Sequence, residues 1–229
     1  MSIDRLCSET KPTTFFPYYR PVQESSYDRE PGYAERYRDS RFRTGSGSGT
    51  DKRERKAIAS LLSIAAINKG IWLDAPCGAG RLSDELPGTA VLVDRDPNMV
   101  VAAGDARPRA CASVHTLPFG DDAFSGALCM RLLQHIATPV ERTTILRELA
   151  RVTNGPIVVS FFDAHSLQHV RRRLRPLLGK RRSGRFAVSR HGFRQELADA
   201  GLEVVAMQSL LRFVGEQTLV LAQRRTAPS

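Results

Sequence analysis

The stretch 71–99, IWLDAPCGAGRLSDELPGTAVLVDRDPNM, constrains this chain most, because it sets two buried-type strands around a glycine turn. IWLDA is an apolar run that reaches Asp74, and AVLVD is a second that ends on Asp94. Continuous apolar runs of this length are the pattern of strands covered on both faces, as in a parallel sheet. CGAG stands where such a strand must turn towards a helix, and Gly78 and Gly80 let the backbone come close to a bound molecule. An acid at the tip of the second strand lies where nucleotide-binding sheets place the acceptor of ribose hydroxyls. The unit reads as a nucleoside pocket.

The rest of the chain supplies a sheet around that unit. Residues 51–70 predict a helix, with Asp51 as cap, Glu54 completing a capping box, an apolar stripe of Ile58, Leu61, Leu62 and Ala65, and Gly70 as the stop. A helix is expected over 80–86, a third strand over 110–114, a fourth over 127–130, an amphipathic helix over 140–153 and a fifth strand over 156–162. A short helix over 189–200, ended by Gly201, precedes two closing strands, 202–210 and 217–222. This alternation predicts an α/β fold with a seven-stranded, mostly parallel sheet and helices on both faces. The last two strands, joined by a short connection, make an antiparallel hairpin. Residues 1–50 form an N-terminal cap segment, partly flexible, with one helix near 33–42. Within it TGSGSGT, 44–50, reads as a linker or a lid hinge. Residues 51–229 form the main domain, with a basic insertion at 165–190.

Composition narrows the setting. At 229 residues, 41% hydrophobic and 25% charged, the chain is ordinary for a soluble globular protein. Cys7, Cys77, Cys111 and Cys129 show neither paired nor CxxC spacing, so no disulfide framework or metal site is expected. No apolar run reaches the roughly 18 residues of a membrane span, and the polar start does not resemble a secretory signal. These features predict a cytoplasmic protein with no integral membrane segment. The net charge of +10 is concentrated at 171–194. Nucleic acid, anionic lipid head groups or an acidic protein surface would each be attracted there, and charge alone does not choose among them.

Four stretches carry a family resemblance: LDAPCGAGR (73–81), VLVDRDPNM (91–99), LPFGDDAFSGALCMRLLQHI (117–136) and LRELARVTNGPIVVS (146–160). Together they resemble the class I S-adenosylmethionine-dependent methyltransferases, over about 51–223. The third looks like the LPF signature of the branch that includes ubiquinone and menaquinone methyltransferases. The resemblance implies a Rossmann-like sheet and S-adenosylmethionine as cofactor. By position it puts Asp74, Ala75, Cys77, Gly78 and Gly80 around the methionyl part and sulfonium, and Asp94 on the ribose hydroxyls. Arg95 and Met99 would flank the adenosine, Ser113 and Val114 would lie near the adenine, and Met130 would join the cofactor wall. Ser113 stands where the family often has an acid, and Ser125 replaces the acid that often follows Phe124. In the family, the N-terminal segment and the insertion after the fifth strand hold the acceptor.

The residues suit that chemistry. CGAG lacks full GxGxxG spacing, and a carboxylate at Asp74 would repel a pyrophosphate but attract a sulfonium. A nicotinamide or flavin enzyme is thereby disfavoured. His135, after the fourth strand, is a candidate general base or else a loop cap. Asp163 and His165, past the fifth strand on the same rim as His135, are placed either to meet an acceptor or to end the strand, and Arg131 is a candidate substrate-binding residue. His115 reads as structural. Tyr33, Tyr37, Arg41 and Phe42 could share a helix face that contacts the acceptor or docks the cap. The run HVRRRLRPLLGKRRSGR, 169–185, has no carboxylate between Asp163 and Glu196. From Arg171 to Arg185 it is either a site for an anionic partner, RNA or a phosphate-rich surface, or a solvated face. The expected function is in-line methyl transfer to a small or lipid-linked metabolite. The alternatives are methylation of RNA or an RNA-associated protein, though no NPPY-type loop or PCQ-type cysteine is present, and a non-catalytic binding protein on the same fold.

Overall fold

The computed structural model describes residues 45–66, 69–174 and 184–225. The expectations for the cap, including Cys7, Tyr33, Tyr37, Arg41 and Phe42, and for 175–183 of the basic run lie outside the described residues.

Seven strands form one sheet: β1 (Ile71–Asp74), β2 (Thr89–Asp94), β3 (Arg109–Cys111), β4 (Gly126–Cys129), β5 (Ile157–Phe162), β6 (Leu202–Ser209) and β7 (Gln217–Arg224). Their spatial order is β3-β2-β1-β4-β5-β7-β6. The first five are parallel, and β7 runs antiparallel to both β5 and β6. This is the Rossmann-like architecture expected from the alternation of elements. The chain winds outward from β1 to β3, then restarts at β4 on the other side of β1. The crevice above the carboxyl ends of β1 and β4 is therefore the topological switch point, where open α/β sheets bind ligands.

Among the described residues, five helices cover the sheet: α1 (Gly45–Ala65), α2 (Pro97–Ala102), α3 (Pro139–Val152), α4 (Leu167–Leu174) and α5 (Arg190–Asp199). On one face, Ile145, Leu146 and Leu149 of α3 and Phe193 and Leu197 of α5 join the inward residues of β1, β4 and β5. Phe161 and Phe193 stack with centroids 4.2 Å apart. On the other, Ala57, Ile58, Leu61 and Leu62 of α1 pack on Trp72, Leu92, Leu128 and Val158. Trp72 is opposite Gly126, and a Cβ there would lie 2.3 Å from the indole, so the strand needs glycine at that point.

Helix ends follow side-chain chemistry. Thr138 and Ser189 cap α3 and α5 by accepting from the amides of Glu141 and Gly192. Asp96 caps α2, with Pro97 in its first turn, a helix the sequence reading passed over although its Asp-Pro start is legible. The LPF stretch turns out to be a docking turn. The Leu117 amide donates to Glu148 of α3, and Arg151 donates to the carbonyls of Leu117 and Phe119.

Four expectations are corrected. Residues 45–50 are helical, so the glycine-serine run is no linker over that span. The glycines weaken this turn by about 1 kcal/mol each relative to alanine, and contacts further along α1 offset that cost. The helix ends at Ala65 with Ala66 left-handed (φ 54°), while Gly70 (φ 114°) serves the turn into β1, where a Cβ would strike Ser125. The expected 80–86 helix is a series of turns around one 3-10 turn, Ser83–Glu85. Gly80 is left-handed (φ 71°), and Pro87-Gly88 follows too soon for a helix to propagate. The third strand is also shorter than expected.

Candidate functional site

Parallel pairing puts Asp74 and Asp94 at the same edge of the sheet. Asp74 lies between Leu92 and Leu128, and the chain leaves β1 with the Ala75 amide donating to Leu128 and the Cys77 amide donating to Val93. This path brings Gly78 over β2. Its amide donates to Asp94 Oδ2 at 2.8 Å, and Asp94 Oδ1 accepts from the Asp96 amide at 2.9 Å. Each carboxylate oxygen keeps a lone pair for a ligand hydroxyl. Gly78 is left-handed (φ 53°), and a Cβ built on it meets nothing within 4 Å, so open space adjoins the loop.

Asp74 is buried and accepts from Ser83 Oγ at 2.6 Å. Burial pushes its carboxyl up to about 7, partly opposed by the Ser83 hydrogen bond, and the charge of Asp94 raises it further. Burial likewise raises Asp94, against the pull of the Asp96 and Gly78 amides. Two buried carboxyls with raised affinity for a proton thus stand beside open space. Among the remaining expected cofactor residues, Ala75, Met99, Val114 and Met130 are buried, Ser113 is half-buried and Arg95 is exposed. Met99 packs with Ala79 and Ala102 beside the glycine turn. The Ser113 hydroxyl lies 3.2 Å from His115 Nδ1, and His115 Nε2 lies 3.3 Å from Glu141, a structural arrangement. Burial pushes the Cys77 thiol far up, which removes it as a nucleophile.

The residue that joins this edge to its surroundings is Glu54, expected to sit in a capping box. It is fully buried and accepts from Arg81 Nη2 at 2.5 Å, Gln217 Nε2 at 2.7 Å and Arg131 Nη1 at 3.1 Å. Asp51, expected as the cap, pairs instead with Arg55 and Arg81. One carboxylate thus ties α1 to the glycine turn, to Arg131 two residues past β4 and to the start of β7. A legible signal existed: Glu54, Ile58 and Leu61 share one helical face, which puts a charge on the apolar stripe. Arg131 itself is left-handed (φ 61°), held by its amide donating to Ser160 and by Gln134 donating to its carbonyl. Strain of this kind collects at binding sites.

Arg131 also lines a cavity of about 190 Å³ with Thr50, Arg53, Phe162, Arg185 and Gln217. A second cavity, of about 250 Å³, takes in Asp163, His165, Arg190, Ser209 and Phe213. Gly215 borders both. Of the expected acceptor residues, Arg131 lines the first cavity, and Asp163 and His165 line the second. Asp163 is buried and accepts from Arg190 Nε at 2.6 Å and from the His165 amide. His135 is exposed at the end of a 3-10 turn, Leu133–His135, and lines neither cavity.

Residues 73–156 match a family model described as a methyltransferase domain. Over that stretch the chain carries a methyltransferase domain. The match is to the domain as a whole and does not single out the ubiquinone and menaquinone branch. No curated protein gives a match. Among solved structures, the chain resembles magnesium protoporphyrin IX methyltransferase from Synechocystis with bound S-adenosylhomocysteine, at 19% identity and TM-score 0.63, over 78% of this chain and 85% of that one. It also resembles a methyltransferase from Methanosarcina mazei at 18% identity and TM-score 0.59, over 72% and 96%. A third likeness, at 16% identity and TM-score 0.60 over 80% and 94%, is to a Haloferax volcanii complex of a putative methyltransferase with the activator Trm112. At these identities the likeness is one of fold. No helix among the described residues is long and apolar enough to cross a membrane.

Proposed function

We propose that this methyltransferase domain passes the methyl group of S-adenosylmethionine to a small or lipid-linked metabolite held in the cavity beside Phe162. The observation that carries the cofactor half is the Gly78–Asp94 pair: an open-faced glycine clamped to a ribose-accepting carboxylate at the switch point. Asp94 takes the two ribose hydroxyls. Asp74 faces the positive end of the ligand, with Ala75, Cys77, Gly80 and Met130 closing that wall. Arg95, Met99, Ser113 and Val114 border the adenosine. Calorimetric titration with S-adenosylhomocysteine tests this half. The full chain should bind, and Asp94→Ala should weaken binding about a hundredfold or more, since two hydrogen bonds to a charged acceptor are lost. Equal affinity in the two proteins would remove Asp94 from the site.

The bound cofactor supplies a methyl group on a good leaving group, so the protein has mainly to align the acceptor and exclude water. Arg53, Arg131 and Arg185 line the acceptor cavity against the one carboxylate of Glu216, which favours an acceptor carrying a carboxylate or phosphate. Asp163 acts as a strut for Arg190 in this reading. An acceptor that reacts through oxygen or an acidic carbon needs a base, and an amine needs none. Of the basic run, the exposed Arg171, Arg173 and Arg185 would meet an anionic partner.

A further inference from the structure

Helix α4, LQHVRRRL, is packed inside out. An ordinary surface helix turns its apolar stripe to the core and its charges to water. Here Leu167, Val170 and Leu174, one stripe at i, i+3 and i+7, are 51, 48 and 50% exposed. The opposite, polar side faces inward. Arg172 reaches within 3.1 Å of the buried Glu216 and lies over the Phe162 ring at 5.5 Å, while His169 sits 3.6 Å from Glu216. Burial, then Arg172 and Arg173, lower the affinity of His169 for a proton, in keeping with its inward place. No residue of α4 is buried, so the apolar stripe has no partner among the described residues.

A second apolar element continues the stripe. In the β6–β7 connection, Leu211, Arg212, Phe213 and Val214 are all exposed, Phe213 by 73%. Phe213 is left-handed (φ 63°), a costly backbone for an aromatic residue, and it presents the ring outward at the tip. The tip and the helix are one unit, since the amides of Leu167 and Gln168 donate to the carbonyls of Phe213 and Val214. Arg171 and Arg173 flank the stripe, and Arg212 covers the Phe213 ring at 4.8 Å.

We propose that α4 and the 211–214 tip are a docking surface for an anionic lipid bilayer. Exposed leucine, valine and phenylalanine gain from the acyl boundary, and the arginines gain from anionic head groups. RNA would use the arginines but gain nothing from exposed Leu167, Val170 or Val214. Gln168, Leu211 and Gly215 line the acceptor cavity as well, so the surface adjoins it and an amphiphilic acceptor would reach it from the membrane. This purpose rests on the methyltransferase reading, but vesicle binding without cofactor is measured independently of it.

The test is co-sedimentation of the full chain with vesicles of phosphatidylcholine alone and with about one third phosphatidylglycerol. Binding should be about tenfold or more stronger to the anionic vesicles and should weaken with salt. Val170→Glu with Phe213→Glu, and separately Arg171→Glu with Arg173→Glu, should each lower it about tenfold or more, with circular dichroism and S-adenosylhomocysteine affinity retained. Several outcomes would overturn the proposal. They are no vesicle binding by the full chain, or undiminished binding by the Val170/Phe213 pair. Binding of a single-stranded RNA without vesicle binding, lost only in the arginine pair, would do so as well. So would a dimer in light scattering that the Val170/Phe213 pair abolishes, with no vesicle binding.

Discussion

Asp74 carries more consequence than any other single residue, because it is a buried carboxyl at the sheet edge whose hydrogen bond comes from the neutral Ser83 hydroxyl. Its ordinary affinity corresponds to 3.8, and burial first, then Asp94, moves it to about 7. A group raised on folding binds more protons in the native state than in the unfolded one between those values. Its contribution to stability therefore falls as pH rises through that window and is most unfavourable above about 7. A cationic ligand reverses this by favouring the ionised form. Affinity for S-adenosylmethionine should thus rise towards tenfold per pH unit on approaching about pH 7 and level off beyond it. Asp74→Asn should weaken binding and flatten that profile, while making the ligand-free protein more stable to heat at about pH 8. Calorimetry across pH and thermal melts read both effects, and an unchanged slope in Asp74→Asn would assign the titration to another group. Asp74 and Asp94 were legible because each ends an apolar run. Glu54 was misread, because a helix-start pattern and a buried charge on a helix face look alike until the partners are known.

Helix α1 shows how an element gains its role from outside itself. Its glycine-rich first turns are poor helix formers, and its stripe would dock it on any apolar face. What orients it is Glu54, on which Arg81, Arg131 and Gln217 converge from three elements. Removing one partner of a buried ion pair leaves the others unpaired, so Glu54→Ala should destabilise the protein by about 3–5 kcal/mol in urea denaturation. It should also weaken S-adenosylhomocysteine binding, through release of Arg81 beside the glycine turn. Glu203→Ala, which loses only an exposed hydrogen bond to Gln223, should change stability by less than about 0.5 kcal/mol. A Glu54→Ala protein as stable as that control would mean α1 is held by its apolar stripe alone.

At the scale of the molecule, the sheet centre is the rigid body and the acceptor side is its margin. All residues of β4 and β5 are buried, and β7 seals β5, whereas α4 buries none of its own. In native-state hydrogen exchange the slowest amides should fall in β1, β4, β5 and β7, with the turns of 80–88 and α4 opening first. Exchange of α4 at the rate of β5 would show instead that the helix unfolds only with the whole domain. The strand order of types, the two acids and the closing hairpin followed from sequence alone, because period and apolar runs report burial locally. Tertiary structure decided the rest. The meeting of Glu54 with Arg81, Arg131 and Gln217 and the outward stripe of α4 both depend on residues far apart in the chain. No local pattern encodes which of two faces a helix will find covered.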